Sequence, residues 1–274
     1  MAVVTDTRSQ EHLPGEALQD GRMPGHWLLA RLGKKVLRPG GVELTRKLLD
    51  SLAITSFDDV VELAPGLGAT TRLVLDKNPA SYRGVDRDPV AAERVADLIK
   101  GPNRSVSTGS AADTGLPDAS ADVAFGEAYL TMQPASQKQL IVNELSRIVR
   151  PGGRIGLHEV AFKSNVSATD RERIIDELRK SIKVHVSPLL GSEWASLLQE
   201  AGFQVKDTAV TDLHLLEPKR LIADEGFFGA LRFLLRVVTR SDSRKRVLAM
   251  RRAMSGNDEN LQAIMITAVR LADS

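Results

Sequence analysis

The sequence predicts an α/β fold of the doubly wound kind, and three observations carry that prediction. Residues 58–71 pass from a short β-branched run (Val60, Val61, Leu63) through Ala64-Pro65-Gly66-Leu67-Gly68 into Ala69-Thr70-Thr71, the pattern of a strand, a glycine turn and a helix N-terminus. Short apolar runs then alternate with helical-period segments as far as Val160. Such alternation implies right-handed crossovers and a parallel sheet with helices on both faces. Finally, Asp86 closes the second run about 20 residues beyond the turn, where an acid can accept hydrogen bonds from both hydroxyls of an adenosine ribose.

Taken in order, residues 1–25 are polar and rich in Gly and Pro without a period, and are expected to form a mobile tail. A single domain is expected over 26–274. Trp27, Leu28, Leu32, Val36 and Leu37 predict a helix over 26–37, ended by Arg38-Pro39-Gly40-Gly41; Val42, Leu44, Leu48, Leu49 and Leu52 predict a second. After the glycine turn a helix reaches about Asp76, and the run from Ser81 to Asp86 is the second strand. Asp88-Pro89 opens a helix as an N-cap followed by a first-turn proline. Strands are expected at 105–108 and 122–125, separated by a loop over 109–117. Leu140, Ile141, Leu145, Ile148 and Val149 mark an amphipathic helix that Pro151-Gly152-Gly153 should stop before a fifth strand over 154–160. These elements make a cofactor-binding core over 54–160. Farther on, helices are predicted at 169–184 and 192–201 and strands at 202–210 and 261–271, which brings the sheet to seven. The stretch 218–254 is too long for a connection. Insertions over about 162–190 and 212–258 are therefore read as helical covers above the active face.

Composition narrows the function. With 42% hydrophobic and 26% charged residues the chain has a soluble globular profile, and a net charge of only +2 gives no field that calls for nucleic acid. The absence of cysteine removes disulfides, thiolate nucleophiles and cysteine-ligated metals, and no metal site is expected. No apolar run approaches the roughly 18 residues of a membrane span and the N-terminus lacks a signal-peptide pattern, so a cytoplasmic protein is expected.

Glu62-Leu63-Ala64-Pro65-Gly66-Leu67-Gly68 resembles the acid-x-Gly-x-Gly-x-Gly motif of class I S-adenosylmethionine-dependent methyltransferases, with Ala64 in place of the first glycine. Leu116-Pro117 and Asp118-Ala-Ser-Ala-Asp122 resemble the family's loop before the fourth strand, and Leu145-Ser-Arg-Ile-Val-Arg-Pro-Gly-Gly153 its helix, turn and fifth strand. The resemblance spans roughly 58–160. It implies S-adenosylmethionine as cofactor and S-adenosylhomocysteine as product, and a final antiparallel strand beside the fifth. It also implies cofactor contacts from Glu62, Ala64, Pro65, Gly66, Gly68, Asp86, Arg87, Ala111, Ala112 and Glu127. Ser110 stands where the family often has an acid near the adenine. Two other readings share these residues: a nicotinamide-dependent oxidoreductase, although Thr71 occupies the third glycine position of its fingerprint, and a non-catalytic protein that keeps the fold.

Methyl transfer asks the protein mainly to align donor and acceptor and exclude water, with a base only for an acceptor that must lose a proton. Glu127 and His158 are the candidate catalytic residues. Glu159 falls on the opposite face from His158 by strand alternation, and His26 and His185 read as surface histidines. Gly126-Glu127-Ala128-Tyr129 bears no resemblance to the Asn/Asp-Pro-Pro-aromatic motif of amino-group methylation on adenine or glutamine, which favours a small-molecule acceptor, and an apolar or lipid-like one is expected from the cover segment that follows. One helical face carries Phe227, Phe228, Leu231, Leu234, Leu235 and Val238, with Arg232, Arg236 and Arg240 on another. It is expected to dock as a lid with its arginines in water; contact of 226–252 with an anionic membrane is the alternative. Oligomeric state is not legible.

Overall fold

The computed structural model describes residues 13–14, 18–20, 22–34, 38–213 and 218–272. Two helices, α1 (Gly25–Arg31) and α2 (Gly41–Ser51), precede β1 (Asp59–Leu63), and the central alternation follows as α3 (Ala69–Leu75), β2 (Ser81–Asp86), α4 (Pro89–Leu98), β3 (Arg104–Thr108), β4 (Ala121–Glu127), α5 (Ala135–Ile148) and β5 (Val149–Phe162). The chain continues through α6 (Ala168–Ile182), β6 (Leu189–Leu190), α7 (Gly191–Glu200), β7 (Phe203–Thr211), α8 (Pro218–Thr239), α9 (Ser241–Ser255) and β8 (Leu261–Arg270). The sheet order is β3-β2-β1-β4-β5-β8-β7. β1 pairs in parallel with both β2 and β4, β4 with β5, and β8 is antiparallel to β5 and β7.

The antiparallel strand thus lies beside the fifth, as the resemblance implied, and the sequence reading fails to find only the two-residue β6 beside β5. Alternate residues of each strand point to opposite faces. Val61, Leu63, Ala124, Ile155 and Leu157 meet α5 and α7, whereas Val60, Val123, Phe125 and Met265 meet α2, α4 and α6. A third apolar cluster joins Met23 and α1 to α8 and α9.

The structure alters four expectations. The helix before Pro151-Gly152-Gly153 ends at Ile148 as expected, but the fifth strand begins at Val149 instead of Arg154: Val149 pairs with Ala121 and Arg154 with Val123, so residues 150–153 loop out as a bulge within the strand. The first helix ends at Arg31 instead of Leu37, where Gly33 takes φ +106; positions 35–37 lie outside the described residues. Part of the supposed tail is packed, since Met23 is fully buried and Asp20 accepts from Arg31 at 2.8 Å and from Ser243 of α9. Residues 1–12 fall outside the described residues. The cover over 212–258 sits on α1, α2 and α6 rather than on the sheet, and α8 is broken at Gly226 (φ 71, ψ 166).

The switch point of the sheet lies between β1 and β4, so their carboxyl ends define the crevice. Gly126 sits there because a Cβ would stand 2.5 Å from Tyr129 Cε1 and 2.8 Å from the Leu63 carbonyl oxygen. Gly126→Ala is expected to lower unfolding free energy by about 1–3 kcal/mol, read by urea denaturation; a shift within error would show that β4 has more room than this packing implies.

Candidate active site

The turn after β1 is shaped by left-handed residues at Ala64 (φ 55), Gly66 (φ 57) and Gly68 (φ 74). Only glycine takes this conformation without steric cost, and Ala64 bears that cost at the position where the motif ordinarily has glycine. A Cβ added at Gly66 would meet nothing nearer than the Ala64 carbonyl at 3.9 Å, so the loop backbone lies bare toward the crevice. Gly66 N–H donates to Asp86 Oδ2 at 3.0 Å and Asp88 N–H to Asp86 Oδ1 at 2.9 Å; burial raises the Asp86 pKa. Asp88 itself caps α4, accepting from Val90 and Ala91.

Ala64, Gly66, Asp86 and Asp88 line a cavity of about 720 Å³, together with Glu62, Pro65, Arg87, Ala111 and Glu127. Of the residues assigned to the cofactor from sequence, Gly68 and Ala112 do not line it. Gly68 is the N-cap residue of α3, and a Cβ there would press on Leu98 at 3.0 Å; Ala112 packs on the core beneath. Glu62 accepts from Tyr82 at 2.6 Å and Thr71 at 2.7 Å, and burial raises its pKa to about 7.

Glu127, at the end of β4, is held by four side chains. Its carboxylate accepts from Arg38 at 3.0 Å, from Thr45 of α2, from Thr70 of α3 and from His158 Nδ1 at 2.6 Å. Burial opposes its ionisation, but Arg38 and His158 prevail and hold its pKa well below the carboxylate range. With His158 Nδ1 committed to this carboxylate, Nε2 is the ring's other nitrogen. It is buried without a partner, and the ring does not line the cavity. Its neighbour Glu159 points to the other face, as alternation requires. There it accepts the backbone N–H groups of Tyr129, Leu130 and Thr131 at 2.9–3.1 Å and so holds the turn that follows β4.

A second cavity of about 120 Å³ adjoins the first and is almost wholly apolar, bounded by Leu29, Val160, Leu178, Met250 and Met254 among others; His26, Ala128, Met132 and Val184 belong to both cavities. His26, read from sequence as a surface histidine, stands in this shared wall with Nδ1 buried and unpartnered, and burial lowers its pKa to about 4. His185 lines the larger cavity from an exposed position. The segment that carries it is fixed by Lys138, whose ammonium donates to the Gln133 and Ser187 carbonyls at 2.7 Å. Arg38, Thr45, Thr70 and Tyr82 escaped the sequence reading because nothing in their local pattern points to carboxylates 20 to 89 positions away.

Several known proteins resemble the chain. A family model described as a methyltransferase domain matches residues 60–153. An uncharacterised protein of Haemophilus influenzae is 32% identical over 246 residues, covering 88% of this chain and 96% of that one. An uncharacterised methyltransferase of Synechocystis sp. is 28% identical over 181 residues, 65% of this chain and 83% of its own. Among solved structures, phosphoethanolamine N-methyltransferase 2 of Haemonchus contortus in complex with S-adenosyl-L-methionine superposes with a TM-score of 0.68 at 12% identity, covering 93% of this chain and 58% of that one.

Replacing Glu127 with Gln leaves the buried Arg38 guanidinium without its countercharge, and a loss of about 3 kcal/mol at neutral pH is expected. Because the folded pKa is depressed, the carboxylate's contribution is complete above its unfolded pKa, near 4.5, and is lost as pH falls toward the folded value. The gap between variant and parent in urea melts should therefore shrink below about pH 4.5; a gap independent of pH would contradict the charge assignment.

Proposed function

Because residues 60–153 match a methyltransferase-domain family model, we propose that the chain is a class I S-adenosylmethionine-dependent methyltransferase whose larger cavity binds S-adenosylmethionine. The adjoining apolar cavity then takes part of a small acceptor. The observation that carries this reading is the wall that the two cavities share, formed by His26, Ala128, Met132 and Val184. A volume near 120 Å³ approaches that of an engineered apolar void of ~150 Å³ that binds benzene, so the acceptor presents a ring or short branched chain to it.

The donor set fits the cofactor. Gly66, with open space where a Cβ would stand, leaves the loop backbone free to approach it, and Asp86 offers both oxygens to a ribose diol. Glu62 offers a carboxylate to an ammonium, and Ala64, Pro65, Arg87 and Ala111 line the same space. When bound, the cofactor supplies a methyl group on a sulfonium for in-line displacement. The chain's own residues align and desolvate the reactants. Glu127, kept ionised by Arg38 and His158, is a poor base; it presents a fixed negative charge to a cationic centre. His158, without access to the cavity, is a positioning residue for Glu127. His26 takes the place assigned to His158 from sequence: an imidazole neutral at pH 7, facing the junction where the acceptor's polar end would lie.

A nicotinamide cofactor would use the same turn and Asp86, and thermal melts separate the two. S-adenosylhomocysteine at about 100-fold above its Kd should raise Tm by roughly 5–10 °C, with no shift from NADH; the reverse pattern overturns the reading. Asp86→Ala should weaken S-adenosylhomocysteine binding by on the order of 10–100-fold with an unchanged circular dichroism spectrum, and unchanged affinity would refute the ribose contact.

Glu62 makes binding depend on pH. Its carboxyl is half protonated near pH 7 in the free protein; an approaching ammonium favours the ionised form, so binding expels a proton. Affinity should fall by up to about tenfold per pH unit below 7 and should flatten in Glu62→Gln, as titration calorimetry can read. A flat profile for the parent protein would exclude Glu62 from contact with the cationic end.

A further inference from the structure

The break at Gly226 divides α8 into two parts with different surroundings. Before it, the buried Lys34 ammonium lies 3.2 Å from Asp224 and 4.0 Å from Glu225, which fastens that half to the segment after α1. After it, Ala230, Phe233 and Val237 are buried against α1 and α9. The remaining apolar side chains are not buried: Phe228 is 83% exposed, Phe227 64%, and Leu231, Leu234, Leu235 and Val238 between 45% and 62%. At 3.6 residues per turn these six fall within an arc of about 120° along about 20 Å of helix. The sequence reading expected this face to dock on the fold as a lid; the structure turns it to solvent. Contiguous apolar surface of this kind marks an interaction site.

The charge around it is one-sided. From Gly226 to Gly256 there are eight Arg and Lys residues and a single acid, Asp242, a net +7 in a chain whose total is +2. Arg232 of α8, Arg240 at the start of α9, and Arg244, Lys245, Arg251 and Arg252 within α9 are exposed, and Leu248 lies among the latter. We propose that the exposed face of α8, flanked by these basic residues, docks on an anionic lipid bilayer. The apolar stripe would enter the acyl boundary while the guanidinium groups meet lipid phosphates. Two copies of this chain brought together on this face would each present the same +7. Nucleic acid would engage the arginines but leave six apolar side chains without a partner.

The inner side of the same helices gives the surface a purpose. Met250 and Met254 of α9 line the apolar cavity, so one layer of structure separates bilayer from acceptor site. An acceptor that partitions into membranes could reach the cavity from there. That link rests on the methyltransferase reading, but the docking surface does not.

Co-sedimentation with vesicles of phosphatidylglycerol and phosphatidylcholine tests the proposal. The protein should bind these vesicles at low salt, bind phosphatidylcholine alone at least about tenfold more weakly, and be released by high salt. Phe227→Asp/Phe228→Asp, at positions open to solvent, should lose binding by about tenfold or more, as should Arg244→Gln/Arg251→Gln, with melting temperatures unchanged. Absence of binding at low salt overturns the proposal, and so does binding that survives the Phe pair. If the face instead joins two copies, sedimentation will show a dimer that the Phe pair dissolves and vesicles that remain bare. The S-adenosylhomocysteine melt is run on the same samples: its failure with vesicle binding intact would sink the cofactor assignment alone, and vesicle failure with a normal melt shift would sink the docking surface alone.

Discussion

The arrangement of the site depends on one buried carboxylate. Glu127 leaves the end of β4 and gathers hydrogen bonds from Arg38 before α2, Thr45 within it, Thr70 in the first turn of α3 and His158 on β5. Four segments distant in sequence are thereby brought to one point at the switch of the sheet. A buried charge of this kind is tolerable only when its partners are complete. The same requirement that stabilises the crevice therefore also fixes its shape, and it fixes the protonation state as well. A group so well solvated by the protein has little to gain from a proton.

The second cavity has a different origin. Its walls come from α1, α6, α9 and the turn after β4, elements with no common secondary-structure logic. Two polar devices keep them in place: Glu159 collects three backbone N–H groups of that turn, and Lys138 anchors the segment around Ser187. Burial lowers the Lys138 pKa to about 8, still high enough to keep the anchor charged near neutrality. Among the described residues that line the smaller cavity, His26 keeps a buried polar atom, Nδ1, without a hydrogen-bond partner, and it stands in the wall shared with the larger cavity.

How much of this the sequence disclosed follows from where the information lies. β1, the glycine turn, β2, Asp86 and the Asp88 cap are local patterns, and they appear in the fold within a residue of their expected positions. Gly66, Asp86 and Glu62 were legible for the same reason. Arg38 looked like a helix terminator because its partner is 89 positions away, and His158 looked accessible because alternation gives a face but not a depth. The helices α8 and α9 show the limit most clearly. Their periodicity reveals an apolar arc, but the other face of α8, with Ala230, Phe233 and Val237, packs on α1 and α9, and the arc itself is left exposed.

His158 and Glu159 are adjacent on β5 and serve opposite faces of the sheet, one holding a carboxylate and the other holding amide donors. Slippage of β5 by one position would exchange them. Glu159 would then confront Glu127 in a buried site, while an imidazole would replace the carboxylate owed to three backbone N–H groups. Misregistered pairing is penalised on both faces at once, by like-charge repulsion on one and orphaned donors on the other. This dipeptide acts as a proofreading device for strand alignment, and it lets the bulge at Pro151-Gly152-Gly153 absorb three extra residues without carrying the error into the active site.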